Sequence, residues 1–174
     1  MFDETLYLIE MSGLLADAAD RLRAEHPAAT VYSVSIWTDP DAAISTVSFD
    51  TAEHSATQVA ALRAWAAGHQ ARLLARGEAE QARLLEPPAG MRNVNPADFA
   101  FRDVAEVEHR SFPQGWAHET EGRCWRELGP ALDRVRERAL ALYAGLPLHA
   151  DAELAVHSDR DWYDGPVKFR RAAI

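Results

Sequence analysis

The chain has 174 residues, 48% of them hydrophobic and 26% charged, a balance that excludes a disordered polymer or a disulfide scaffold and suits one folded domain, 1–174, with a real core. Its formal net charge of −9 argues against nucleic acid, whose binding needs concentrated basic surface, and is compatible with a basic protein partner, although acidity also serves solubility alone. Cys124 stands alone and Asp3 and Glu4 follow Met1 directly, so the sequence predicts no disulfide, no Cys-built zinc cage, no secretory signal and no membrane span, and it fits the cytoplasm.

In chain order, Leu8, Met11, Leu15, Ala18 and Leu22 form an apolar stripe at spacings of three and four. That predicts a helix over 4–25, capped by Asp3 and stopped by Pro27. Alternation then predicts a β-hairpin at about 31–49. Tyr32, Val34 and Ile36 share the more apolar face against Val31, Ser33, Ser35 and Trp37, and Ala43, Ser45, Val47 and Phe49 share a face of the return strand. Asp39-Pro40-Asp41 suits a type I turn with a polar, acidic tip.

Asp50-Thr51-Ala52-Glu53 resembles a capping box, opening a helix that puts Val59, Leu62, Trp65, Ala66, His69 and Leu73 on one side. Gly77 divides off a short helix over 78–85 before Pro87-Pro88. Residues 99–107 alternate as a strand permits, and 112–116 form an aromatic loop. Trp125, Leu128, Leu132, Val135, Ala139 and Leu142 give the strongest helical pattern, over 119–144, with Gly129-Pro130 marking a kink or a break. A strand over 153–157 with Leu154 and Val156 inward follows, then Ser158-Asp159-Arg160-Asp161, Trp162-Tyr163 and an Asp164-Gly165 turn. The fold class is α+β: an antiparallel sheet built on the hairpin, joined by the Leu154 and Phe99 strands and covered by three main helices.

His157, Asp159 and Asp161 alternate, so they are the one cluster with metal-ligand character, though an Asp-rich loop is more simply a turn. His118, Glu121 and Cys124 sit three apart and drift round a helix. No nucleophile elbow, phosphate-binding loop or dinucleotide fingerprint occurs, so no catalytic residue and no cofactor is assigned. Trp37 and Trp162 beside Asp39, Asp41, Asp159 and Asp161 give a candidate partner surface, because binding anchors are often aromatic and lie on loops.

Val31-Tyr32-Ser33-Val34-Ser35-Ile36-Trp37-Thr38-Asp39, followed by Asp50-Thr51-Ala52-Glu53, resembles a family of small bacterial proteins grouped as a domain of unknown function. Its members place an aromatic strand ending in aromatic-Thr-Asp after an N-terminal helix, then a second strand and an Asn-Thr-Glu cap. Here Asp replaces that Asn, and Ala52 intervenes before Glu53. The resemblance implies an immunity-like role, binding and neutralising a toxin, and supplies no catalytic residues. The leading expectation is therefore a cytoplasmic, non-enzymatic binding protein with a basic partner. The alternatives are a small metal-assisted hydrolase using His157 to Asp161, or an oligomerisation module built on the 125–142 stripe.

Overall fold

β-Branched and small hydroxylated residues draw Val31–Asp39 (β1) and Ile44–Thr51 (β2) into the expected antiparallel hairpin, with Val34 opposite Phe49 and Ile36 opposite Val47. Its tip is tied by Asp39, whose Oδ1 accepts from the Asp41 and Ala42 amides at 2.8 and 3.1 Å. A register shift between Val31 and Ser33 changes one expectation. The extra residue turns Val31 into the core and leaves Tyr32 half-buried, with its ring 5.1 Å from that of His149.

The computed structural model describes residues 1–118 and 122–170. The chain divides into two compact units, Met1–Ala52 with Asn95–Ile174, and Glu53–Val94. In the first unit the sheet has five strands in the order β3-β2-β1-β4-β5, with β3 Phe101–Glu108, β4 Leu148–Val156 and β5 Asp164–Lys168. β3 is the expected Phe99 strand. β4 begins earlier than expected, and β5 forms where the sequence reads only as a turn and a basic end.

The sheet is mixed and not purely antiparallel, because β4 pairs with β1 in parallel, Val34 beside Leu154 and Ile36 beside Val156. The cause is the helix between β3 and β4, which at 21 residues spans about 30 Å. It carries the chain back along the sheet, so β4 starts beside the start of β1.

That helix and the first one, α1 (Glu4–Glu25), pack on one face of the sheet. Asp3 caps α1 by accepting from the Leu6 amide at 3.0 Å. Met11, Leu15 and Leu22 of α1 join Val34, Ile36, Val47, Phe49, Leu154 and Val156 in one buried core. Full burial of each such side chain contributes about 1.5–3 kcal/mol.

The 123–143 helix, Arg123–Tyr143, runs without a break through Pro130. Leu128 and Ala131, on either side of the proline, are both fully buried, so packing of the apolar stripe carries the helix past it although one backbone hydrogen bond is forfeited. At its C-terminal end Tyr143 occupies the core, and Leu142, expected inward, is 39% exposed. The expected start at Glu119, and Glu121 of the His118-Glu121-Cys124 series, lie outside the described residues.

In the second unit, α2 (Ala52–Ala75) begins just past the expected cap and α3 (Ala79–Leu84) is the expected short helix. Gln70 donates to the Ala82 carbonyl at 3.1 Å, and Ser55 Oγ accepts from the Asn93 amide at 2.9 Å. Val59 and Ala66 are buried, while Leu62 and Trp65 of the same expected stripe are exposed. The Trp65 ring lies against His69, centroids 4.7 Å apart. In sequence order the 123–143 helix is α4. Among the described residues no helix is long and apolar enough to cross a membrane.

Candidate functional site, an acid-rimmed aromatic cleft

The face of the sheet opposite α1 and α4 carries small polar side chains, since Ser35 pairs with Ser48 and Trp37 with Thr46. Because β1 and β4 are parallel they end side by side, and open sheets commonly hold ligands beyond the carboxyl ends of parallel strands. Trp37 and Asp39 thus reach the same end of the sheet as His157, the residue after β4. The His157 amide donates to the Ile36 carbonyl at 2.9 Å, and its Nδ1–H donates to the Thr38 carbonyl at 2.6 Å.

These residues line a cleft of about 460 Å³, a size suited to a small ligand or a long side chain. Trp37 stacks on the His157 imidazole, with centroids 5.9 Å apart and planes within 10°. Trp125, in the first turn of α4, meets the same ring edge-on at 5.0 Å. Trp162 stands at the mouth, 60% exposed. Thr46 and Ser48 also line the cleft, as do Pro96 and Ala97. Asn95 caps the short turn at 96–98 by accepting from the Ala97 amide at 3.3 Å.

Asp103 also lines the cleft, and it stands there because the ladder is irregular. Phe101 pairs with Phe49 and Ala105 with Val47, so residues 102–104 face Ser48 alone in a bulge. Asp103 takes a φ of +46°, and its amide donates to Ser48 Oγ at 3.0 Å. Asp tolerates the left-handed region better than most residues but less well than glycine. Asp103→Gly is expected to leave stability unchanged or raise it by up to about 1 kcal/mol while removing a cleft carboxylate. A chemical denaturation curve checks the first half and a ligand titration the second.

Electrostatically the cleft is one-sided. Burial pushes the His157 pKa below its ordinary value, outweighing the bond to the Thr38 carbonyl and the charges of Asp39 and Asp161, which pull it up. The ring is neutral at pH 7, with Nδ1 as donor and Nε2 left as an acceptor. Among the described residues, Asp39 and Asp103 are then the only charged side chains lining the cleft.

Of the residues singled out from sequence, Trp37, Asp39, His157 and Trp162 line this cleft, while Asp159 and Asp161 line the adjoining depression together with Arg160. Asp41 lies apart, at the hairpin tip, 2.8 Å from His118 Nε2. The 158–164 segment is a hydrogen-bonded loop. Asp161 Oδ1 accepts from the Tyr163 amide at 3.2 Å, and Ser158 Oγ donates to Asp164 Oδ2 at 2.6 Å. Among the described residues no three His, Cys, Asp or Glu side chains converge on a metal position. His157, Asp159 and Asp161 therefore do not make a ligand set. Trp125, Asp103, Ser48 and Pro96 also line the cleft without a signal in the sequence; Trp125 reads only as part of the helix stripe, and nothing in the alternation over 99–107 signals a bulge.

A second polar cluster lies on the helical side of the sheet. His109 Nδ1 is 2.9 Å from Glu10 Oε2 and its Nε2 is 2.7 Å from Ser45 Oγ, which lies 2.7 Å from Thr38 Oγ1. The Glu10 carboxylate also accepts from Ser111 Oγ at 2.7 Å and from the Arg110 amide at 3.0 Å. Burial opposes ionisation of Glu10, but the bonds from Ser111, His109 and Arg110 and the attraction of His109 outweigh it and hold its pKa low. Burial lowers the His109 pKa against the pull of Glu10, so a neutral ring donates to Glu10 and accepts from Ser45. Carboxylate, imidazole and hydroxyl stand in the order of a hydrolytic triad. Ser45 is fully buried and His109 only 4% exposed, so no substrate carbonyl reaches the hydroxyl, and the cluster holds β1, β2, β3 and α1 together.

Comparison of the chain with protein-family models, with curated proteins and with solved structures finds no match in any of the three.

Proposed function

We propose that this protein is a non-enzymatic, immunity-like binding protein of the cytoplasm, which engages a basic protein, such as a toxin, through the cleft. The observation that carries this reading is the make-up of the cleft: three tryptophans, a neutral histidine and, as charged lining among the described residues, carboxylates alone. Buried aromatic anchors supply most of the affinity in protein interfaces, and complementary charge supplies fast encounter and choice of partner. The net charge of −9 adds a long-range field that attracts a cationic partner. Asp159 and Asp161 add carboxylates along the adjoining depression, with Arg160 between them.

The test begins with the basic proteins encoded beside this one. Calorimetric titration of each against the purified chain is expected to find one that binds, with affinity falling as salt rises. The double variant Asp39→Lys/Asp161→Lys is expected to weaken that complex by about tenfold or more, since like charges across an interface are strongly unfavourable. Absence of any bound neighbour, or indifference to both charge reversals, would remove this reading.

A further inference from the structure

Resting on the reading above, we propose that the group seated in the cleft is the guanidinium of an arginine side chain, so that partner recognition turns on one inserted arginine. The argument comes from the shape and the acceptors of the site together. Trp37 and His157 lie parallel, with planes within 10°, so the indole forms a flat wall fixed in place by a ring that is itself tied to the Thr38 carbonyl. A flat wall suits a planar cation. The guanidinium stacks on aromatic faces and is weakly hydrated, whereas an ammonium is a compact, strongly hydrated point charge that gives up more in leaving water.

The acceptors fit the same group. Asp39 commits Oδ1 to its own turn, to the Asp41 and Ala42 amides, and among the described residues none bonds its Oδ2. Among the described residues none bonds the Asp103 carboxylate, which the bulge holds on a different strand at the cleft wall. His157 Nε2 adds a neutral acceptor. A guanidinium carries five N–H donors in a fixed fork and can address acceptors that arrive from separate elements; an ammonium has three. The cleft volume of about 460 Å³ admits the aliphatic stem as well as the head, and the exposed Trp162 at the mouth lies where that stem would enter.

The test uses the full chain and two peptides, Gly-Arg-Gly and Gly-Lys-Gly with blocked ends, titrated at low salt and followed by tryptophan fluorescence and calorimetry. The arginine peptide is expected to bind at one site, at least about tenfold more tightly than the lysine peptide. Trp37→Ala and Asp103→Asn should each weaken it by about tenfold. Asp39→Asn retains a side-chain oxygen for the turn, so its loss of binding reports charge and not misfolding. Equal affinity for the two peptides, or no saturable binding of either, overturns the assignment. Its failure is separable from that of the partner reading. A basic neighbour that binds through the cleft but tolerates arginine-to-lysine exchange refutes the guanidinium alone, and arginine-peptide binding without any protein partner upholds the guanidinium and refutes the partner.

Discussion

Replacing His109 by Ala is expected to cost about 2–4 kcal/mol of folding stability, read as a lower denaturation midpoint at pH 7.5. The side chain is fully buried with its Nδ1 against the Glu10 carboxylate, so its loss opens a cavity and strips a partner from each neighbour. Ser45 is fully buried and loses the imidazole it donates to; Glu10 keeps Ser111 and the Arg110 amide. The same residue makes stability depend on pH. Its folded pKa lies below the ordinary histidine value of 6.5, so between that depressed value and about 6.5 the unfolded chain binds the proton more readily. The contribution is therefore complete above about pH 6.5 and is lost as pH falls through the folded pKa. Glu10, also depressed, adds a loss in the same direction at lower pH. Denaturation of the wild type at pH 7.5 and 5.5 should show the acid side less stable, and His109→Ala should show a smaller difference between the two. His157 has a depressed pKa as well, so part of the slope should remain in the variant.

Trp37→Ala is expected to have the largest effect on binding, about 2–3 kcal/mol, or 30- to 150-fold, against a cationic protein partner. The indole is half-buried, stacked on His157, and lines the cleft. Central, well-packed aromatic residues of that kind carry interface energy out of proportion to their number. Trp37→Phe should recover part of the loss, since a smaller aromatic face still receives a cation, whereas Trp37→Leu should not. Trp65→Ala, in the 53–94 unit, is the matched control and should leave affinity unchanged.

Local signals in this chain were legible where they alone decide the outcome. Asp3 caps α1 and Asp39 ties the hairpin tip as their side-chain chemistry dictates. The apolar alternation of Val34, Ile36, Val47 and Phe49 marks the core side of the sheet. Failure came where distant pairing decides. The parallel seating of β4 on β1 depends on a 21-residue return helix, and alternation within β4 is the same for either direction. Pro130 reads in isolation as a kink or a break; the break does not occur, because Leu128 and Ala131 are buried on either side of it.

The cleft was half legible for the same reason. Trp37, Asp39, His157 and Trp162 belong to strand ends and loops, where exposed aromatics and acids attract attention. Trp125 is one member of an amphipathic stripe, and Asp103 acquires its position only from a bulge created by pairing with β2. The Glu10, His109 and Ser45 cluster joins His109 to residues 99 and 64 positions away in sequence, and no local pattern announces it.

The most direct measurement is the indole N–H spectrum of the five tryptophans during titration with the arginine peptide. Trp37, Trp125 and Trp162 line the cleft; Trp116 is buried at 1% exposure among Phe2 and Phe112, and Trp65 stands in the other unit. Progressive shifts confined to the signals of Trp37, Trp125 and Trp162, saturating with one affinity, are the predicted result. Shifts centred on Trp65, or none at the three cleft signals while the peptide demonstrably binds, would contradict the cleft as the binding site.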